Sequence, residues 1–274
     1  MQKVTSNIYG IEFREMNPES DKTLILISSA IVWSGTRGTG APFEDKDFTQ
    51  RIAPLAKQEL KLLENDVLAA CRTSNGTEHA VVHPHKRSYV LCAGLVYGCG
   101  EEYEPAFEKL FMRAWNGGST EDEGLFIMNE GNNVVPTVHI KDLAKMVGKL
   151  IVARPDPHEH PYFLAVDKAG AGQTQEAIVE SIGKKIGVDK IYRTKYFALL
   201  TEELKETMYP LTANVQMKSS ALLELGKEEW HCENGFVASI DKVFEELKVC
   251  KGLRGVKVLL TGPPAAGKTR FAEW

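Results

Sequence analysis

Residues Leu24–Trp33 read LILISSAIVW, a nearly continuous apolar run that is rich in β-branched side chains. Such a run is typical of a strand buried on both faces, as in a parallel sheet covered by helices. Ser88–Tyr97 has the same character, and the shorter runs Val134–His139 and Tyr162–Val166 are also predicted to be extended. Helical patterns lie between these runs, and strands that alternate with helices predict an α/β fold with a largely parallel sheet.

Five segments carry apolar residues at helical spacing. They cover residues 50–70, 104–116, 143–151, 174–187 and a stretch that begins at Ser239. Thr174 is predicted to cap the fourth segment with its side-chain oxygen, and Gly187 to follow its last turn. Ser239 is predicted to cap the fifth. Residues 195–235 show no clear periodicity and are expected to be mostly helical or irregular.

Composition excludes several classes of protein. The chain has 274 residues, 43% of them apolar and 26% charged, which are ordinary globular values for one large domain or two. A net charge of −4 argues against a protein that holds nucleic acid through a basic surface. No window of 18 apolar residues is present, so no membrane-spanning segment is predicted.

The cysteines and histidines do not form a recognisable metal-binding pattern. The five cysteines include no CxxC pair, and they are predicted to be free thiols. His83 and His85, and likewise His158 and His160, are paired across one residue without a cysteine or carboxylate at ligand spacing. Structural zinc sites need four closely spaced ligands, so these histidines are predicted to lie in surface loops.

The C-terminal end carries the strongest chemical motif. Val256–Thr261 is predicted to be a strand, and it leads into GPPAAGKT at Gly262–Thr269, which fits the P-loop pattern G-x-x-x-x-G-K-[ST]. Glycines let such a loop turn its N–H groups toward phosphate oxygens, and the following helix N-terminus favours the anion. Lys268 is expected to reach the β- and γ-phosphates, and Thr269 to ligate Mg²⁺. The predicted nucleotide-binding residues are Gly262, Pro263, Pro264, Ala265, Ala266, Gly267, Lys268 and Thr269.

Only five residues follow Thr269. A P-loop domain also needs a Walker-B carboxylate, further strands and groups that neutralise the transferring phosphoryl. We therefore expect the sequence to be a window from a longer protein, or its end to be a stranded fragment. No catalytic residue is predicted within it.

Four segments resemble known families. Leu26–Trp33 is similar to the strand of extended short-chain dehydrogenases and epimerases that ends in Ser-Ser-Ala-x-Val-Tyr. Tyr89–Gly98 resembles that family's next strand, which ends in Val-Tyr-Gly, and Val138–Ala144 resembles its His-Val-x-Asp-Leu-Ala segment. Gly262–Thr269 resembles the adenylate kinase P-loop, which opens with Gly-Pro-Pro.

This order of segments resembles the long ciliary type of adenylate kinase, in which the kinase follows a Rossmann-like domain. The resemblance implies a Rossmann-like, mostly parallel, doubly wound sheet in residues 1–251 that is incomplete at its N-terminal side. It implies the truncated beginning of a second α/β domain, the kinase, in residues 252–274. For the whole protein it implies ATP with magnesium, phosphoryl transfer to a nucleoside monophosphate, axonemal partners and a location in cilia or flagella. This chain would then serve mainly as a structural docking domain.

The alternative function is that of an NAD(P)-dependent epimerase or reductase. The resemblance puts Ser29 at the family's serine and Lys57 at its lysine, but the position four residues before Lys57 is Ala53 instead of the proton-transferring tyrosine. Three G-x-G turns lack the third glycine of the dinucleotide fingerprint: Gly38–Gly40, Gly98–Gly100 and Gly170–Gly172. NAD(P) binding is therefore not expected. A third possibility is an interaction protein whose P-loop binds nothing.

His139 and Asp142 lie at a predicted loop-to-helix start, where they could contact a ligand. Residues of these types at a helix start more often cap the helix or satisfy local backbone groups. We therefore predict structural roles for both, and we predict that Cys92 is a small buried apolar side chain.

Overall fold

The structure, a computed structural model, describes residues 21–38, 40–70, 72–73, 81–82, 85–98, 106–116, 124–169, 173–188, 190–196 and 200–253. The predicted strand Val256–Thr261 and the predicted P-loop, Gly262–Thr269, lie outside the described residues. The boundary predicted after residue 251 stays a prediction.

The described residues contain nine strands. They are β1 (Lys22–Ser29), β2 (Arg72–Thr73), β3 (Val81–Val82), β4 (Lys86–Ala93), β5 (Leu95–Tyr97), β6 (Leu125–Met128), β7 (Thr137–His139), β8 (Tyr162–Ala165) and β9 (Ile191–Thr194). The central sheet has the order β1-β4-β8 and is parallel throughout. β5 pairs with β7 and β6 with β9, also in parallel, whereas β2 and β3 are antiparallel.

Seven α-helices accompany these strands in the described part of the chain. They are α1 (Gln58–Ala69), α2 (Ala106–Trp115), α3 (Ile140–Ala153), α4 (Gln175–Ile186), α5 (Glu202–Met208), α6 (Gly235–Ala238) and α7 (Ile240–Lys251). Short 3₁₀ helices cover Ala30–Trp33, Asp45–Gln50, Leu55–Lys57, Tyr209–Thr212 and Ala221–Leu223. Parallel strands with helices confirm the α/β, Rossmann-like, mostly parallel fold.

The middle strand, β4, explains why the sheet is covered on both faces. Alternate residues of a strand point to opposite faces. Val90 and Cys92 pack in one apolar cluster, whereas Tyr89, Leu91 and Ala93 pack in another. All five side chains are at most 2% exposed, so β4 is buried on both sides and Cys92 is a buried apolar residue, as predicted.

The strand predicted over Leu24–Trp33 is shorter and more exposed than expected. β1 ends at Ser29, whose hydroxyl accepts a hydrogen bond from the Ile31 amide at 3.4 Å, and the buried 3₁₀ helix follows. Among the described residues β1 pairs only with β4, and Ile27 is 52% exposed. The prediction of burial on both faces therefore holds for β4 and is wrong for β1.

The helix predictions are mostly confirmed. The helix predicted from residue 50 begins only at Gln58, because 3₁₀ turns and Pro54 precede it. Thr174 caps α4 through the Ala177 amide, and Gly187 follows that helix with φ of +90°. Ser239 is the N-cap residue of α7, as predicted, but its side chain makes no capping hydrogen bond there.

The largest apolar cluster packs α2, α4, α6 and α7 against β5 and β6. Phe236 lies at its centre, with its ring centroid 4.6 Å from that of Phe107 and 5.3 Å from that of Tyr97. This packing holds α6 against β5, and Phe244 of α7 stacks on Phe111 of α2. None of the described helices combines the length and apolar composition that crossing a membrane requires.

Two cysteines match the free-thiol prediction and one does not. Cys92 and Cys232 are free and buried. Cys250 is disulfide-bonded, so the prediction is wrong for that residue.

Candidate functional site

The resemblance places the catalytic serine, tyrosine and lysine of a dehydrogenase at Ser29, Ala53 and Lys57. Ser29 caps the 3₁₀ helix through its hydroxyl. Ala53, at the tyrosine position, is 4% exposed, and its carbonyl accepts a hydrogen bond from the Gln58 side chain at 2.6 Å. Lys57 ends a 3₁₀ turn and is half-buried. A buried methyl group at residue 53 cannot transfer a proton.

A buried ion pair lies two residues from Ala53. Nε of Arg51 donates to Oε2 of Glu64 at 2.6 Å, and the side chains are 4% and 0% exposed. The guanidinium also donates to the Phe48 carbonyl at 2.6 Å and to the Asn65 side chain at 2.8 Å. Pairing and additional hydrogen bonds are what allow two charges to be buried.

Two aromatic residues extend this ion pair into the sheet. The Tyr162 hydroxyl donates to Oε1 of Glu64 at 3.1 Å and accepts from Nε1 of Trp33 at 3.1 Å. Phe48 stacks on Tyr162 with centroids 5.2 Å apart, and the Arg51 guanidinium carbon lies 5.1 Å from the Tyr162 centroid. Burial raises the pKa of Tyr162 well above its usual value, so the hydroxyl stays protonated. We call Trp33, Arg51, Glu64 and Tyr162 the Arg51 network.

A second group of polar residues ties α7 to the start of α3. Nδ1 of His139 accepts from the Lys141 amide at 3.1 Å, so Nε2 carries the proton of the neutral ring and donates to Glu246 at 2.9 Å. Nε2 of His231 and Nζ of Lys141 each lie 2.6 Å from the other Glu246 oxygen. We call these four residues the Glu246 network.

The charge state of the Glu246 network follows from its burial and hydrogen bonds. Burial raises the pKa of Glu246, but hydrogen bonds from Lys141, His139 and His231 outweigh it and lower that pKa to about 2. Burial lowers the pKa of His139, despite its contact with Glu246. A carboxylate that accepts from a neutral His139 ring is therefore the stable arrangement near neutral pH.

Asp142 links the start of α3 to the backbone at His231 and Cys232. It is fully buried, and its two oxygens accept from the backbone amides of His231 at 2.7 Å and Cys232 at 2.8 Å. The predicted capping role of His139 is confirmed. Asp142 satisfies backbone groups, as predicted, but the prediction that they would be local is wrong.

His139, His231 and Cys232 could in principle hold a metal ion, because one ligand atom from each lies within 4.8 Å of the others. Both ring nitrogens of His139 already have partners. A ring that offered Nε2 to a metal would carry its proton on Nδ1, where the Lys141 amide hydrogen points. Hydrogen bonding to Glu246 therefore accounts for this group better than metal ligation.

One buried carboxyl group has a pKa near neutrality. Asp167 is 7% exposed, and it accepts from the Thr137 hydroxyl at 2.7 Å and the Ala169 amide at 3.1 Å. Burial raises its pKa to about 7. A general acid or base needs such a pKa, but the cavity beside Asp167 has a volume of only about 10 Å³. A sugar or a nicotinamide does not fit there.

Sequence reasoning missed Glu64, Tyr162, His231 and Glu246 as organising residues, because no motif contains them. Of these four residues, only Glu64 could have been singled out from the sequence, because it lies on the apolar side of a helix among Leu60, Leu63 and Val67. The predicted P-loop residues, including Lys268 and Thr269, lie outside the described residues.

Comparison with known proteins finds relatives by sequence and neighbours by structure, but no matching family model. No family model matches the chain. The chain is 36% identical to adenylate kinase 7 of Macaca fascicularis over 188 residues, which are 68% of this chain and 33% of that protein. It is 29% identical to adenylate kinase 7 of Mus musculus over 265 residues, which are 93% of this chain and 39% of that protein. The chain therefore spans between a third and two fifths of the length of these relatives.

Among solved structures, the human epimerase family protein SDR39U1 with NADPH superposes with a TM-score of 0.56 at 15% identity. The match covers 88% of this chain and 73% of that one. At this identity the likeness concerns the fold alone. The chain is thus a homologue of the adenylate kinase 7 proteins in the part of them that it spans, and it has the Rossmann-like fold of epimerases.

Proposed function

We propose that residues 1–251 form a non-catalytic docking domain of a ciliary adenylate kinase. The observation that carries this proposal is the Arg51 network, which lies beside the position of the family's catalytic tyrosine. Arg51 and Glu64 have hydrogen-bond partners in the interior, and the Ala53 side chain has no group that could replace the proton-transferring tyrosine. A domain with this interior would keep the fold of an epimerase without its proton-transferring residue, and its surface would be available to bind partners.

In the whole protein we propose that Gly262–Thr269 bind the phosphates of ATP. Lys268 would contact the β- and γ-phosphates, and Thr269 would ligate Mg²⁺. The reaction would be phosphoryl transfer to a nucleoside monophosphate, and the homology to adenylate kinase 7 supports it. The product would supply ATP to the axoneme of a cilium or flagellum, with axonemal proteins as the partners of residues 1–251.

Nucleotide binding is tested in the full-length protein with the substitution Lys268→Ala. We expect ATP affinity and kinase turnover to fall by at least tenfold, because the lysine carries the positive charge of the loop. Lys257→Ala is the matched control, since it removes a lysine that precedes the motif. Unchanged ATP affinity in Lys268→Ala would instead favour an interaction protein whose P-loop binds nothing.

The docking role is tested separately in ciliated cells. A tagged protein that lacks everything after residue 251 should still reach the axoneme, whereas a protein that lacks residues 1–251 should not. A diffuse distribution of the first protein, together with axonemal targeting of the second, would overturn the docking role without bearing on nucleotide binding.

The alternative function, an NAD(P)-dependent epimerase or reductase, is favoured by the fold, since a structural neighbour was solved with NADPH. Titration calorimetry of this chain with NAD and NADPH separates the two functions. We expect no saturable heat up to millimolar cofactor. Micromolar binding of either cofactor would favour the alternative.

A further inference from the structure

A small cavity lies where the chain leaves β8 and where it enters β7. It is lined by residues 134–137, 166–167, 169, 173 and 215–217 and has a volume of about 10 Å³. A single water molecule needs about 10–15 Å³ measured in this way. The cavity is therefore the right size for one water and too small for any organic ligand.

One side chain of the cavity lining lacks a protein partner. Gln173 is 2% exposed, and Nε2 of its amide has no hydrogen-bond acceptor among the described residues. A buried donor without a partner is costly, and native proteins satisfy nearly all such groups with protein or with ordered water. An acceptor is therefore expected in the cavity.

The orientation of this amide is determined by its other end. Oε1 of Gln173 accepts from the Val237 amide at 3.4 Å, and the Gln173 carbonyl accepts from the Val135 amide at 2.9 Å. Rotating the side-chain amide by 180° would bring its N–H groups against the N–H of Val237. Nε2 is therefore the atom without a partner.

Asp167 provides the matching acceptor on the cavity lining. Each of its carboxyl oxygens accepts one hydrogen bond, from Thr137 and from Ala169, and each can accept a second. We propose that one water molecule is bound in this cavity, where it accepts from Nε2 of Gln173 and donates to the Asp167 carboxyl group. A metal ion or ammonium is excluded, because the amide presents donor hydrogens that would repel a cation.

A crystal structure of this 274-residue chain at about 1.8 Å resolution tests the proposal directly. We expect one density peak within hydrogen-bond distance, about 2.7–3.2 Å, of both Nε2 of Gln173 and an Asp167 oxygen. Absence of the peak, with Nε2 donating to a protein oxygen instead, would overturn the proposal. This result does not depend on any variant.

The variant Gln173→Met gives a second measurement, since methionine has a similar length and no donor. Oxygen-17 relaxation dispersion counts long-lived internal waters in solution. We expect one fewer such water in Gln173→Met than in the unmodified chain, and no peak in its crystal structure. An equal count in two folded proteins, with the peak retained, would contradict the assignment of Gln173 as the binding group.

Discussion

Arg51 and Glu64 form an ion pair, 2.6 Å between Nε and Oε2, in which neither side chain is more than 4% exposed. Tyr162 of β8 donates to Glu64 and accepts from Trp33 of the 3₁₀ helix after β1, which connects the pair to both elements. The network thus joins the segment before α1 to the sheet, two residues from Ala53, which the resemblance aligns with the catalytic tyrosine of epimerases.

Removing one partner of this pair should destabilise the fold strongly. Arg51→Met leaves the Glu64 carboxylate buried without its counter-charge, and such a change costs about 3–5 kcal/mol. Urea unfolding measures the loss. Lys218→Met is the matched control, because Lys218 contacts Glu44 on the surface, where the side chains are 70% and 37% exposed. The control should hardly change the unfolding midpoint, and an equal loss in both variants would show that Arg51 has no special role.

The sequence predicted the sheet because its signals are local. Apolar runs such as Ser88–Tyr97 depend on neighbouring residues alone, and they placed β4 and its covering helices correctly. The Arg51 network depends on contacts between residues 13 to 129 positions apart, which no periodicity reveals. A single charged residue on an apolar helix face, Glu64, was the one hint, and it did not indicate its partner.

The Glu246 network should make the protein sensitive to acid. Glu246 has its pKa lowered to about 2, so its contribution to stability is present above its unfolded pKa and is lost as the pH falls toward 2. The lowered pKa of His139 acts in the same direction, because the unfolded chain binds a proton there at a higher pH. We expect the contribution of these two residues to the free energy of unfolding to decrease between pH 6.5 and pH 3.

Glu246→Gln tests the origin of this acid sensitivity. The amide cannot accept from both histidines, so the variant should lose about 1–3 kcal/mol at pH 7. The difference in unfolding free energy between the unmodified chain and the variant should therefore shrink between pH 5 and pH 3, and the contribution of Asp167, which both proteins contain, cancels in this difference. A variant with the full acid dependence would mean that other carboxylates are responsible.

Prediction of the Glu246 network failed for a related reason. His139 and Asp142 were recognised at a helix start, where capping is expected, and His139 does cap the helix. Their long-range partners, Glu246 on α7 and the backbone at His231, come from residues about 90 to 107 positions later. The helix start was therefore predictable and the tie to α7 was not.

Zinc should not stabilise the protein. Anything that binds the native state raises its unfolding temperature, so one equivalent of zinc provides a direct test of the His139, His231 and Cys232 group. We expect no change in the unfolding temperature, because His139 is held in the tautomer that opposes ligation through Nε2. A rise of several degrees that disappears in Cys232→Ser would show that a metal displaces the Glu246 contacts.

Asp167 should give the opposite pH dependence to Glu246. Burial raises its pKa from 3.8 to about 7, so the folded state holds a proton that the unfolded state has released between those values. Stability therefore falls as the pH rises from about 4 to about 7, by about 4 kcal/mol at most. Asp167→Asn removes this titration and keeps a carbonyl oxygen that can accept from Thr137. The difference in unfolding free energy between variant and unmodified chain should shift in favour of the variant between pH 5 and pH 8. Because both proteins contain the Glu246 network, its contribution cancels in this difference. A difference that stays constant with pH would show that the folded chain does not raise the pKa of Asp167.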